Sequence, residues 1–117
     1  MYNFTHESED IVPGTNHKLG AAHAVEIPYK FNLVGQADSP ETGGMIAIKG
    51  PEAQKTAHNM SEMWSTFART GRPAAKGQPE WPVYTTERRA TMEIDAQCKV
   101  VDDPYGAARQ MWWRLEL

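Results

Sequence analysis

The stretch from Pro51 to Thr70 constrains the fold of this chain more than any other. Ala53, Ala57, Met60, Trp64 and Phe67 are spaced by four, three, four and three, the repeat of one helix face, and Met63 and Ala68 widen the stripe. Pro51 suits a first helical position, where its missing N–H costs nothing, and Glu52 meets the positive end of the helix dipole. Arg69, Gly71 and Pro73 mark the stop. The spacing predicts a helix over 51–70, about 30 Å long at ~1.5 Å per residue, with an apolar side that must be covered by something else.

The supply of covering residues is thin. Leu, Ile, Val and Phe make up only 18 of the 117 residues, below the roughly 20% at which a highly charged chain is suspected of disorder. The net charge is only −3, and four Trp and six Met add large apolar side chains, so the sequence reads as globular with a sparse core. A chain of 117 residues has room for one domain and not two.

Around the helix the pattern is broken into short pieces. Tyr2, Asn3, Phe4 and Thr5 alternate with the two-residue period of a strand. His6 to Lys18, with Pro13, Gly14 and Asn16, has the composition of a loop, and Pro28 makes any helix within Leu19–Val34 short or begun near that residue. Gly35 to Gly50 is again loop chemistry around the brief apolar run Met45–Ile48. Beyond the helix come a Gly/Pro loop over 71–78 and an extended, anchored segment Trp81-Pro82-Val83-Tyr84. Ala90–Ile94 and Cys98–Val101 are spaced as a hairpin. Asp102-Asp103-Pro104 reads as the start of a last amphipathic helix carrying Tyr105, Ala108, Met111, Trp112 and Leu115.

Several functions are disfavoured by composition. Twelve basic and fifteen acidic residues are interleaved, with no basic block to track phosphates. No apolar run approaches the ~20 residues that span a bilayer, and Met1–Asp10 carries no export signal. The single cysteine, Cys98, excludes an internal disulfide and a four-thiolate zinc site, suits a reducing compartment such as the cytoplasm, and is expected as a small core residue. His6, His17, His23 and His58 show no i, i+4 pair, so they are expected as scattered surface histidines rather than metal ligands. Gly43-Gly44 lacks the lysine and hydroxyl residue of a phosphate loop. The triplets Asn3-Phe4-Thr5 and Asn59-Met60-Ser61 match the glycosylation pattern but have no secretory context.

His23 carries the strongest chemical signal. It sits among Gly20, Ala21, Ala22 and Ala24, small residues that let backbone or substrate approach closely, and Glu26 falls on the same side if a turn of helix forms. On spacing alone, a histidine packed in a loop or at a helix end, beside a surface carboxylate, is the plainer reading.

The run Gly20–Phe31, G-A-A-H-A-V-E-I-P-Y-K-F, resembles the catalytic-histidine segment of the type-B carboxylesterases, the α/β-hydrolase group of the bacterial para-nitrobenzyl esterases and the cholinesterases. Tyr2-Asn3-Phe4 is similar to that family's preceding core strand. Gly50–Gln54 with Met60–Arg72 is similar to its last long helix, and Glu80–Tyr84 and Arg88–Pro104 to its closing segments. The resemblance covers essentially the whole chain, in order. It implies an α/β architecture, the C-terminal part of an α/β-hydrolase fold forming one partial domain over 1–117, with few strands, one long helix, a terminal hairpin and a short last helix.

The resemblance also implies a mechanism: a serine on a G-x-S-x-G elbow, a histidine that takes its proton, a carboxylate orienting the histidine, and backbone amides holding the oxyanion, with no cofactor or metal. His23 would be the general base, and Glu26 a supporting carboxylate that does not itself form the triad. The only serines, Ser8, Ser39, Ser61 and Ser65, have no glycine two residues away on either side, and the oxyanion glycines are absent. Glu7, Glu9 and Asp10 match no triad position. The expectation is therefore a carboxylic-ester hydrolase family member, inactive on its own, that meets a small-molecule ester when an amino-terminal part completes the site. The alternative is a non-catalytic self-associating or complementing module, using an exposed helix face around Met60, Trp64 and Phe67.

Overall fold

The structure is a computed structural model and describes residues 1–12, 14–35 and 50–115. The apolar run Met45–Ile48 and the Gly43-Gly44 pair lie outside the described residues. The expected long helix, α2, spans Pro51–Thr70, with Pro51 in its first turn, Glu52 near the positive end and Arg69 in its last turn. It stops at Gly71, whose φ of 74° is the left-handed conformation glycine adopts without a Cβ penalty, and whose N–H donates to the Phe67 carbonyl.

A three-stranded sheet lies against it. β1 (Tyr2–Phe4) runs parallel to β4 (Ala90–Ile94), which pairs antiparallel with β5 (Lys99–Asp102). The register sets Tyr2 beside Met92 and Phe4 beside Ile94, and the Thr5 N–H continues the pairing to the Ile94 carbonyl at 3.1 Å. β4 is the central strand, and Ala90, Thr91, Met92 and Ile94 are all buried. The hairpin stands where the sequence places it, with β5 begun one residue late. Cys98 closes the turn instead, its N–H donating to the Gln78 Oε1 at 2.9 Å.

The core is where α2 meets this sheet and the one-turn helix α1 (Ile27–Lys30), and Tyr29, Met60, Met63, Met92 and Ile94 are its largest buried side chains. The buried face of α2 is turned from the predicted stripe. Thr56 and Asn59 are buried beside Ala53, Ala57, Met60 and Met63, whereas Trp64 is half-buried, Phe67 is 56% exposed and Ala68 is exposed. The cause is geometric. A 20-residue helix is about 30 Å long, and strands of three to five residues cover about half of that, so the last turns of α2 overhang the sheet. Tyr2 partly covers the overhang, with its ring edge-on to Trp64 at 4.9 Å and to Trp81 at 6.4 Å. Trp81 thereby anchors the segment 81–84, while Val83 points to solvent.

Two expectations are corrected. The stretch His6–Lys18, expected as loop, holds β2 (Ser8–Ile11) and the first residue of β3 (Lys18–Gly20), which pair as an antiparallel ribbon whose register shifts between Ser8 and Ile11. Backbone pairing and a Glu9–Lys18 ion pair form it without the apolar alternation that marks strands in sequence. The last helix, α3 (Gly106–Trp113), has no buried residue, and Met111, Trp112, Trp113 and Leu115 are all exposed. It is tied down at its start, where Arg109 donates from Nη2 and Nε to Asp103 at 2.7 and 3.3 Å. The Asp103 carboxyl lies below its usual range because of that guanidinium.

Candidate active site

β3 ends at Gly20, and the chain then turns through 21–26 into α1. His23 stands in this turn with its side chain exposed. The turn is made by local bonds, Val25 N–H to Ala22 O at 3.3 Å and Ile27 N–H to Ala24 O at 3.2 Å, and Ala24 is forced to φ 67°. A left-handed alanine costs about 1 kcal/mol, which the surrounding structure must offset. Val25 and Tyr29 provide the anchor. Both are buried, Tyr29 completely, with its ring edge-on to Phe4 at 5.0 Å. The small residues that single out His23 in the sequence leave its imidazole open to a partner or substrate.

Glu26 is the N-cap residue of α1, and the Lys30 Nζ donates to its Oε1 at 2.9 Å. Burial raises its carboxyl, but the Lys30 hydrogen bond, its own backbone N–H and the charges of Lys30 and His23 outweigh this, so it lies below its ordinary value. Glu26 is a carboxylate at neutral pH, and it is committed to Lys30. Two of the upstream acids are also committed. Asp10 accepts the Ser8 hydroxyl at 2.8 Å, and Glu9 pairs with Lys18.

The structure brings together a cluster that the sequence does not announce. His6 is 8% exposed, not a surface histidine, and its Nδ1 lies 2.7 Å from Asp95 Oδ1 and 3.4 Å from Thr56 Oγ1. The Thr56 hydroxyl hydrogen goes to the Glu52 carbonyl, and an ionised carboxylate can only accept, so this network assigns the ring hydrogen to Nδ1. The contact links the end of β1 to the turn after β4, under α2. Period-two alternation from Phe4 was the available signal, since it places His6 on the inward face. The same turn is tied from α2 by Asn59, whose Nδ2 donates to the Asp95 and Ala96 carbonyls at 3.2 and 3.1 Å. Cys98 is buried there as expected, and burial pushes its thiol up, which keeps it protonated and unreactive. His17 and His58 are exposed.

An apolar groove of about 530 Å³ lies beside the overhanging end of α2, walled by Tyr2, Trp64, Phe67, Trp81 and Val83. His23 is not among its walls. Met60 is wholly buried, so the expected exposed face around Met60, Trp64 and Phe67 is reduced to its last member and part of Trp64. Among the described residues, no helix is long and apolar enough to cross a membrane.

Residues 1–113 match the sequence profile of the Carboxylesterase family. The chain is 33% identical over 90 residues to the para-nitrobenzyl esterase of Bacillus subtilis, an alignment covering 77% of this chain and 17% of that protein. Its structure is similar to a Geobacillus stearothermophilus carboxylesterase, with a TM-score of 0.66 and 34% identity over 95% of this chain and 21% of that one. It is also similar to a Clostridium hathewayi esterase described as hydrolysing aliphatic aromatic polyesters, with a TM-score of 0.70 and 28% identity over 97% of this chain and 20% of that one. The chain thus spans about a fifth of the length of the relatives it matches. A mixed sheet under a long helix, matched to esterases of the α/β-hydrolase fold along nearly its whole length, places these 117 residues in the carboxylesterase family.

Proposed function

We propose that the chain supplies the histidine-bearing part of a serine carboxylesterase, with His23 as general base. The observation that carries this reading is the family match across 1–113 combined with an exposed imidazole in a built turn. In ester cleavage, His23 takes the proton of an attacking serine, returns it to the leaving alcohol, and repeats the cycle with water. Glu26 supports the turn, and the orienting acid comes from elsewhere, since Glu26 is spent on Lys30.

The four serines of the sequence lack the glycine flanks of a nucleophile elbow. Ester turnover therefore requires these 117 residues to work with a segment that carries G-x-S-x-G. The purified 117 residues should hydrolyse a chromogenic short-chain ester at the buffer rate, and turnover that vanishes in His23→Ala would overturn that part of the proposal. The role of His23 is tested by replacing the matching stretch of the Bacillus subtilis para-nitrobenzyl esterase with this chain. The hybrid should turn over ester, and His23→Ala should lower its rate by about 10⁴-fold or more, because nucleophile and base act as a unit. A substituted hybrid within tenfold of its parent would refute His23 as base.

A further inference from the structure

We infer that Lys30 is a positioning residue for His23, acting through Glu26 on the turn that presents the imidazole. The inference rests on the proposed role of His23 and adds to it the residue that holds the base in place.

α1 has only four residues, far below the length at which a helix persists by itself. The turn in front of it carries the left-handed Ala24, the residue that directly follows His23. Something other than helix propensity must hold both, and two ties do so. One is the burial of Val25 and Tyr29. The other is the Glu26–Lys30 pair, which joins the N-cap residue to the last residue of the helix, alongside the Lys30 N–H to Glu26 O bond at 3.1 Å. The two side chains are 22% and 24% exposed, so water screens the pair less than it screens a surface pair.

The Glu26 hydrogen bond raises the Lys30 ammonium against the opposing effect of burial. The ammonium also neutralises the carboxylate that lies three residues from the imidazole.

The test is amide hydrogen exchange of the 117-residue chain, read at Val25 and Ile27, whose N–H groups close the turn. Lys30→Met keeps the aliphatic stem and removes the charge. It should speed exchange at these two amides by about fivefold, the upper range for one ion pair, with no change at Met60, Met63 or Met92. Lys30→Arg should restore protection, and Glu26→Gln should reproduce the Lys30→Met effect without adding to it in the double variant. Unchanged exchange at Val25 and Ile27 in Lys30→Met would overturn the inference. So would an equal acceleration throughout α2 and β4, which would make Lys30 a general stabilising residue. The measurement does not involve ester turnover, so its failure is separate from a failure of His23 as base.

Discussion

Tyr29 offers a sharp test of the core, because replacing it with phenylalanine should stabilise the protein. The ring is 0% exposed, edge-on to Phe4 at 5.0 Å and tilted against His6 at 5.5 Å, yet its hydroxyl has no hydrogen-bond partner among the described residues. A buried polar group left unpaired costs about 1–3 kcal/mol, and Tyr29→Phe removes that cost while leaving the ring contacts in place. The expected gain is about 1–2 kcal/mol in urea unfolding at pH 7, followed by the fluorescence of Trp64 and Trp81. The pH dependence provides a second, independent check. Burial, then the charges of Asp10 and Asp95, push the Tyr29 phenol well above its ordinary value. The folded chain therefore keeps this proton at a pH where the unfolded chain has released it. Its contribution is intact below the unfolded value of about 10 and is lost as pH rises toward the folded one, at up to about 1.4 kcal/mol per pH unit. Cys98 adds its own alkaline slope to parent and variant alike, so it cancels in the difference. The stability gap between Tyr29→Phe and the parent should thus widen above pH 10. A variant less stable than the parent by about 1 kcal/mol, the net worth of a made hydrogen bond, would show that the hydroxyl is satisfied, and a flat difference between pH 9 and 11 would refute the ionisation argument.

Met60→Ala should cost about 3–4 kcal/mol in the same unfolding assay, since the side chain is wholly buried between α2 and the sheet. Phe67→Ser should cost less than about 1 kcal/mol, although both positions lie on one predicted stripe; an equal cost at the two would mean that the overhang is covered. Asn59→Leu should lose about 2–3 kcal/mol, because the Asp95 and Ala96 carbonyls lose their donor, and a loss under about 0.5 kcal/mol would refute that bridge. His23→Ala should leave the urea midpoint within about 0.5 kcal/mol of the parent, as expected for an exposed side chain, so that any loss of ester turnover in the hybrid reports chemistry rather than folding.

What the sequence revealed and what it hid divide along a physical line. α2, β1 and β4 were legible because their signals are local, a period of 3.6 or 2 and, for α2, proline and glycine at its ends; the start of α3 was read too early, since Asp102 ends β5 and the helix begins at Gly106. The ribbon β2–β3 was hidden because Ser8, Glu9 and Asp10 have no strand preference of their own, and the pairing is set by the backbone of Lys18–Gly20. The rotation of the α2 face was hidden for a related reason. Thr56 and Asn59 are polar, and they are buried only because their hydrogen bonds go to Glu52 O and to the turn at Asp95 and Ala96, about 40 residues downstream of Asn59. The sparse aliphatic content was a correct guide to the surface: with a three-stranded sheet and a helix longer than the strands beneath it, Phe67, Met111, Trp112 and Trp113 remain exposed.

The candidate site shows the same division more sharply. His23 could be singled out as a candidate because its flanking residues are small and in family order, features that a linear pattern contains. The partner of Glu26 was not found, because a carboxylate three residues from a histidine and four from a lysine has two nitrogen-bearing side chains within reach of one helical turn. Spacing cannot rank them. The structure ranks them, with the Lys30 ammonium donating to Glu26 Oε1 at 2.9 Å. The imidazole, left on the open side of the turn, is free for a different carboxylate. With His23 as the proposed base, its orienting carboxylate has to come from another part of the fold, because Glu26 is held by Lys30.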